Sequence, residues 1–338
     1  MFFAVRSIVW MSEPLSRELL AVLPAGPSGI TFVGSAREFL AARCDAKTVA
    51  FLDNSTLAEL GTAAPTGPVI AICDDTLQSS VAWLTRYPWL SHVMSTGLLR
   101  HPIAAEHLGN VMATVTSGHK VRLLDWLGPS LAGRRVRLAH ASRRVDRLER
   151  MAGYFESREV SGRTIQLLRD AAEELLTNAF YDAPVAAGVL DQPISRTQDV
   201  ALSEDSACDM VYGCRDDLAI VRVRDPFGSL SRTRLVEVLT RCARTDMGVE
   251  VDETMGGAGL GLWRIFSAAS FVAISVVNNR HTEFLVGIGK RVASATRPFA
   301  FHLFFKDHGR AARRWRLLES VDRTSKPTVN RSVTIMTR

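Results

Sequence analysis

The stretch DETMGGAGLGLWRIF, residues 252–266, places Gly256, Gly257, Gly259 and Gly261 directly ahead of an apolar, helix-like run. Glycine inside an element costs about 1 kcal/mol relative to alanine. Such density makes sense where backbone bends sharply or closely approaches something. Successive N–H groups here can converge on an anion, and the helix that follows adds the positive end of its dipole. The stretch reads as a phosphate cradle. It is not a dinucleotide fingerprint, because no strand directly precedes it, nor a P-loop, because no Lys-Ser/Thr pair follows.

Three other pieces carry compatible chemistry. In RDAAEELLTNAFYDAP (169–184), a helical wheel puts Leu168, Ala172, Leu175 and Ala179 on the core stripe. Glu174 and Asn178, at i and i+4, then share its border, while Glu173 points away as a solvated residue. Pro184 is expected to end this helix at Ala183. In AIVRVRDPFGSL a β-branched strand runs into Asp225, and Pro226 and Gly228 mark a turn. A carboxylate held there can accept a hydrogen bond from an exocyclic amine such as that of adenine. In NNRHTEFLVGIG, Thr282 falls between two strand-like runs.

The order E-x-x-x-N, strand-D-turn, GGxGLGL, T-x-F resembles the GHKL ATP-binding superfamily shared by gyrase, heat-shock chaperones, histidine kinases and mismatch-repair ATPases. The resemblance spans about residues 145–290 and is nearest to histidine-kinase ATP-binding domains and anti-sigma serine kinases. It implies that Asn178 holds Mg²⁺, that Glu174 polarises the attacking group, and that Asp225 binds the adenine amine of ATP or ADP, assisted by Thr282. Gly228 belongs to the adenine-side turn, and the backbone at Gly257, Gly259, Leu260 and Gly261 wraps the phosphates. Residues 229–255 correspond to the lid, with Arg241 and Arg244 as candidates for reaching the terminal phosphates. The chain departs from the family pattern at Phe227 and Ser229, where glycines are usual, and at His281.

Residues 1–117 read differently. RSIVWM, GITFVG, KTVAFLDN, PVIAICDD and LSHVMS are short apolar strands at intervals that suit crossover helices, which implies a parallel, doubly wound sheet. This half resembles a response-regulator receiver domain. Asp53 stands where that family carries its phosphoacceptor, and Pro102 follows His101 where a lysine would precede the proline. Met11 and Ser12 occupy the positions of the acidic pair that holds Mg²⁺, a hard ion that needs oxygen ligands. The expectation is a pseudo-receiver used for binding rather than for phosphorylation at Asp53.

The expected fold is α/β: this doubly wound parallel sheet over 1–117, and an ATP-binding α/β sandwich over 151–290, with a mixed sheet and helices on one face. Residues 118–150 form a basic connector whose Val145, Leu148, Ala152 and Phe155 recur at helical spacing, a candidate homodimer contact. Its His140 lacks the acidic neighbour and downstream proline of a histidine-kinase phosphoacceptor. Residues 291–338 are a basic, strand-rich extension in which RPFAFHLFF and RSVTIMT are expected to add a hairpin to the second domain or pair with a neighbour.

Composition fits a globular chain, with 47% apolar and 22% charged residues among 338. No apolar run approaches the roughly 20 residues that span a bilayer, and the N-terminus lacks signal-peptide architecture. The five cysteines are scattered, which suits reduced thiols in a cytoplasmic protein. From Arg291 onward there are eleven Lys/Arg against three Asp/Glu, so the net charge of +6 arises there. No nucleic-acid motif accompanies it, and a solvated edge is the simpler reading. The expected function is an ATP-binding signalling protein, a protein kinase acting on a protein partner. The alternative is a nucleotide-gated interaction module.

Overall fold

A computed structural model describes residues 5–23, 29–42, 45–74, 76–117, 122–128, 131–245, 260–291, 298–306 and 334–336. The N-terminal half alternates strands β1 (Arg6–Trp10), β2 (Ile30–Phe32), β3 (Thr48–Asp53), β4 (Val69–Cys73) and β5 (His92–Ser95) with helices. These helices are α1 (Glu13–Val22), α2 (Ala36–Ala41), α3 (Asn54–Leu60), α4 (Leu77–Arg86), α5 (Thr96–Leu99) and α6 (Ala104–Thr116). All four ladders are parallel, in the order β2-β1-β3-β4-β5. Both faces of β3 are buried: Ala50 and Leu52 enter one core, Val49 and Phe51 the other. That double burial is why its sequence is continuously apolar.

The second half supplies β6 (Ala132–Leu138), α7 (Arg144–Glu156), α8 (Gly162–Thr177), α9 (Ala183–Ala186) and β7 (Asp199–Ala201). It continues through β8 (Cys208–Arg215), β9 (Leu218–Asp225), α10 (Arg232–Thr245), α11 (Leu260–Ala268), β10 (Phe271–Val277) and β11 (His281–Gly289). Strands β12 (Ala300–Lys306) and β13 (Thr334–Met336) follow. One mixed sheet of 11 strands runs through both halves, in the order β2-β1-β3-β4-β5-β12-β10-β11-β9-β8-β6.

Strand β12 makes the join. It pairs parallel with β10 and antiparallel with β5, where His302 faces His92. RPFAFHLFF therefore forms no hairpin with RSVTIMT, whose β13 pairs with β7 instead. The largely apolar text of β12, buried from Ala300 to Phe304, matches its place between two neighbours. At the seam His107 of α6 places its Nε2 2.9 Å from Nε2 of His302, and both rings are buried.

The connector also differs from expectation. Its GRRVRL portion is not helical: β6 is the edge strand beyond β8. Period-two alternation explains this, with Val136 and Leu138 on one face and Arg135 and Arg137 on the other. The helix that follows, α7, buries Leu148, Met151, Ala152 and Phe155 and packs on α8, while Val145 is left 62% exposed. Helices α7, α8, α10 and α11 contribute to the core on one face of this half of the sheet. The opposite face is not bare: a 3₁₀ turn at Leu123–Leu127 brings Leu123, Trp126 and Leu127 into the core with Val211, Ile220 and Leu285.

Candidate functional site

Helix α8 begins at Ser161, whose hydroxyl accepts the Thr164 amide at 3.2 Å as an N-cap. Its buried stripe of Leu168, Ala172, Leu175 and Leu176 fixes the rotation of the helix. Glu174 and Asn178 consequently sit side by side, half-buried, with the Asn178 amide hydrogen-bonded to the Glu174 carboxylate. Burial pushes the Glu174 carboxyl above its ordinary pKa, against the pull of Arg196 and of that hydrogen bond.

The α-helix stops at Thr177, earlier than Pro184 suggested. Asn178–Asp182 form a π-helical turn, and Pro184 lies in the first turn of α9, where its missing N–H does not matter. Single π turns concentrate at functional sites. Glu173 is not simply solvated. It accepts from Arg144 Nη1 of α7 at 3.1 Å and from the Thr177 hydroxyl at 3.4 Å, tying α7 to α8.

Strand β9 ends at Asp225, which is 8% exposed. Its Oδ1 accepts the amides of Phe227 at 2.8 Å and Gly228 at 3.3 Å, folding the DPFG turn back on the carboxylate. Across the antiparallel ladder Thr282 of β11 is its direct partner and hydrogen-bonds it through backbone and hydroxyl. Burial raises the Asp225 pKa, while these bonds pull it down. Gly228 has φ +64°, and a Cβ there would lie 2.2 Å from the Val277 carbonyl oxygen, so both conformation and space demand glycine. The turn is thus seated on the β10–β11 hairpin.

Helix α11 packs against both α8 and α10. A Cβ on Gly261 would stand 2.2 Å from Cδ of Glu174, so the start of α11 approaches the α8 carboxylate as closely as glycine permits. Leu260 opens this helix. Gly256, Gly257 and Gly259 lie outside the described residues, as do residues 246–255 of the expected lid. Within that lid, residues 232–245 form α10, which packs on α4 as well as α11. Arg244 lines a groove facing Arg86 of α4, and Arg241 is exposed.

Asp53 is occupied structurally. It caps α3, with Oδ1 accepting the Thr56 amide at 3.0 Å and the Ser55 hydroxyl at 2.7 Å, while Oδ2 accepts the Ser12 amide at 2.7 Å. Its pKa is held low by the Ser12, Thr56 and Ser55 hydrogen bonds, which outweigh burial. His101 pairs with Asp217 at 3.3 Å rather than with Asp53, and Arg100 pairs with Glu18. His140 lies in extended backbone 3.7 Å from Asp199, not on a helix.

Two features gave no signal in sequence. Cys208 extends the row formed by Asp225 and Thr282 on the other side, fully buried, and burial raises its thiol pKa well above the ordinary value. Arg222 of β9 is 3% exposed and bridges Asp209 of β8, at 2.7 Å, to Glu283 of β11, holding three strands together on the face opposite α8. Among the described residues, no group of three or more His, Cys, Asp or Glu is arranged to hold a metal ion. No helix among them is long and apolar enough to cross a membrane. Comparison with known family models and with curated proteins gives no match to this chain.

Proposed function

We propose that this chain binds an adenine nucleotide and acts as a protein kinase of the histidine-kinase or anti-sigma serine-kinase type. One observation carries the reading: α8 packs on β9, β11 and α11, with Gly261 of α11 against Glu174 and with Thr282 paired to Asp225 across the β9–β11 ladder. The donor set suits Mg·ATP. Asp225 would accept the adenine amine beside Thr282, and Asn178 would offer an oxygen to Mg²⁺, an ion that takes one or two protein ligands together with phosphate oxygens and water. The N-terminal backbone of α11 would face the phosphates. ATP supplies the transferable phosphoryl group. Glu174, whose basicity burial increases, would accept the proton of an attacking hydroxyl as its oxygen bonds to phosphorus and ADP departs.

Titration calorimetry tests the binding step. Mg·ADP should bind, more weakly after chelation of Mg²⁺ and more weakly still in Asp225→Ala. No detectable heat at millimolar nucleotide sinks the reading.

A second function, the nucleotide-gated interaction module, is favoured by the docking of α10 on α4 and by the capping role of Asp53, which leave the N-terminal half as a binding partner rather than a phosphorylated input. Labelled ATP incubated with the purified chain and a cell lysate separates the two. Label transferred to a protein supports the kinase; nucleotide-dependent capture without label supports the module.

A further inference from the structure

Arg232 is the first residue of α10, four positions after Gly228. Its Nη2 crosses to the N-terminal half and donates to two backbone carbonyls, Leu84 in the last turn of α4 at 3.3 Å and Leu90 in the α4–β5 connection at 2.8 Å. The guanidinium is half-buried, its Nε has no hydrogen-bond partner, and burial lowers its pKa without a carboxylate to offset it. Eight residues on, the Thr240 hydroxyl meets that of Thr85 at 3.0 Å. Beyond this the two helices part around a cavity of about 670 Å³ lined by Thr76, Ser79, Arg86 and Arg244. The pair carries the Arg232 bonds at one end and this cavity toward the other.

A cation kept in such surroundings is costly to bury. Leucine or methionine would cover the same corner at less cost, so the two carbonyl bonds are a specific latch. The latch also has little slack behind it. Phe227 is 1% exposed, Gly228 is jammed against the Val277 carbonyl, and only residues 229–231 separate that turn from Arg232.

We infer that Arg232 is a positioning residue through which the α4–β5 corner of the N-terminal half sets the geometry of the Asp225 turn. A shift of α4 is passed through Arg232 and residues 229–231 to the carboxylate, and a ligand that orders the turn restrains α4 in return, as linkage requires. The ligand half of this inference rests on the nucleotide reading above; the mechanical half does not.

Hydrogen exchange on the full chain tests both. Without nucleotide, Arg232→Ala should speed exchange by about tenfold over residues 77–90 and also over 225–231, with Arg232→Lys in between. Acceleration confined to α10 overturns the latch. With Mg·ADP as probe, the wild type should slow exchange over 77–90, and Arg232→Ala should weaken ADP binding about five- to tenfold, largely rescued by Arg232→Lys. ADP affinity within about twofold of wild type, with no response in α4, overturns the coupling. A wild type that binds no ADP defeats the nucleotide reading instead, and the nucleotide-free comparison then decides the latch alone.

Discussion

Thr282 stands directly across the β9–β11 ladder from Asp225 and hydrogen-bonds its carboxylate through both backbone and hydroxyl. Thr282→Val keeps the shape and removes the hydroxyl bond, at an expected cost of about 1 kcal/mol. Losing that bond raises the Asp225 pKa further, so binding should fail at a higher pH than in wild type as the solution is acidified. Calorimetry of Mg·ADP binding across pH checks this; an unshifted profile removes Thr282 from the adenine site.

Gly261→Ala separates folding from chemistry. The added Cβ meets the far end of a glutamate side chain, which can move, so the melting temperature should change little. Glu174 would be displaced, and phosphoryl transfer should fall by about tenfold or more, since small misplacements of a reacting group are costly. A variant with normal turnover would show that the Glu174 position is not used.

Glu174 should define the acid limb of the rate profile. Its folded pKa is raised, so the base is lost as pH falls through a value above the ordinary glutamate range. Glu174→Gln should abolish this limb and lower turnover by about 100-fold, roughly 3 kcal/mol, with ADP affinity nearly intact. A raised carboxyl pKa also means that stability is lost as pH rises through it. The glutamine variant should therefore melt no lower than wild type at neutral pH.

Asp53 should resist acyl phosphates. Both carboxylate oxygens are engaged, Oδ1 as the cap of α3 and Oδ2 by the Ser12 amide, and Met11 and Ser12 offer no acidic side chain for Mg²⁺. Acetyl phosphate with Mg²⁺ should add no mass to the intact protein, and an adduct at Asp53 would restore the phosphoacceptor role. Asp53→Ala should cost about 1–2 kcal/mol through loss of the cap, read by denaturant titration.

The histidine seam predicts acid lability. Burial depresses the His107 pKa to about 4 and His302 well below its ordinary value of 6.5. Their stabilising contribution is complete above the unfolded pKa and is lost as pH falls through the window from about 6.5 to about 4. Within it each histidine should add up to about 1.4 kcal/mol of lost stability per pH unit. His302→Phe should flatten that slope, and an unchanged slope would place the acid sensitivity elsewhere.

Periodicity and turn chemistry made much of this legible. The five apolar strands of the N-terminal half, the border position of Glu174 and Asn178, and the strand end at Asp225 all follow from local pattern. The connector misled because seven residues of arginine-rich alternation are a strand only when β8 is available to pair with. The end of α8 misled because a π turn depends on how Phe180 and Tyr181 are buried, which no single proline reports. The pairing of β12 with β5, and the reach of Arg232 to Leu84 and Leu90, are long-range contacts without local signature.

The central position of β12 constrains how this protein is made. Phe299 donates its amide to the Ser95 hydroxyl from 204 residues downstream, and β12 covers the free edge of β5 from there. At about 5–20 residues per second, a ribosome exposes β5 for roughly 10–40 s before its neighbour emerges. During that interval the nascent N-terminal half carries an uncapped, apolar strand edge, the geometry most prone to pair with another chain. Slow translation between residues 95 and 300 should therefore lower soluble yield, and a chaperone that shields strand edges should restore it.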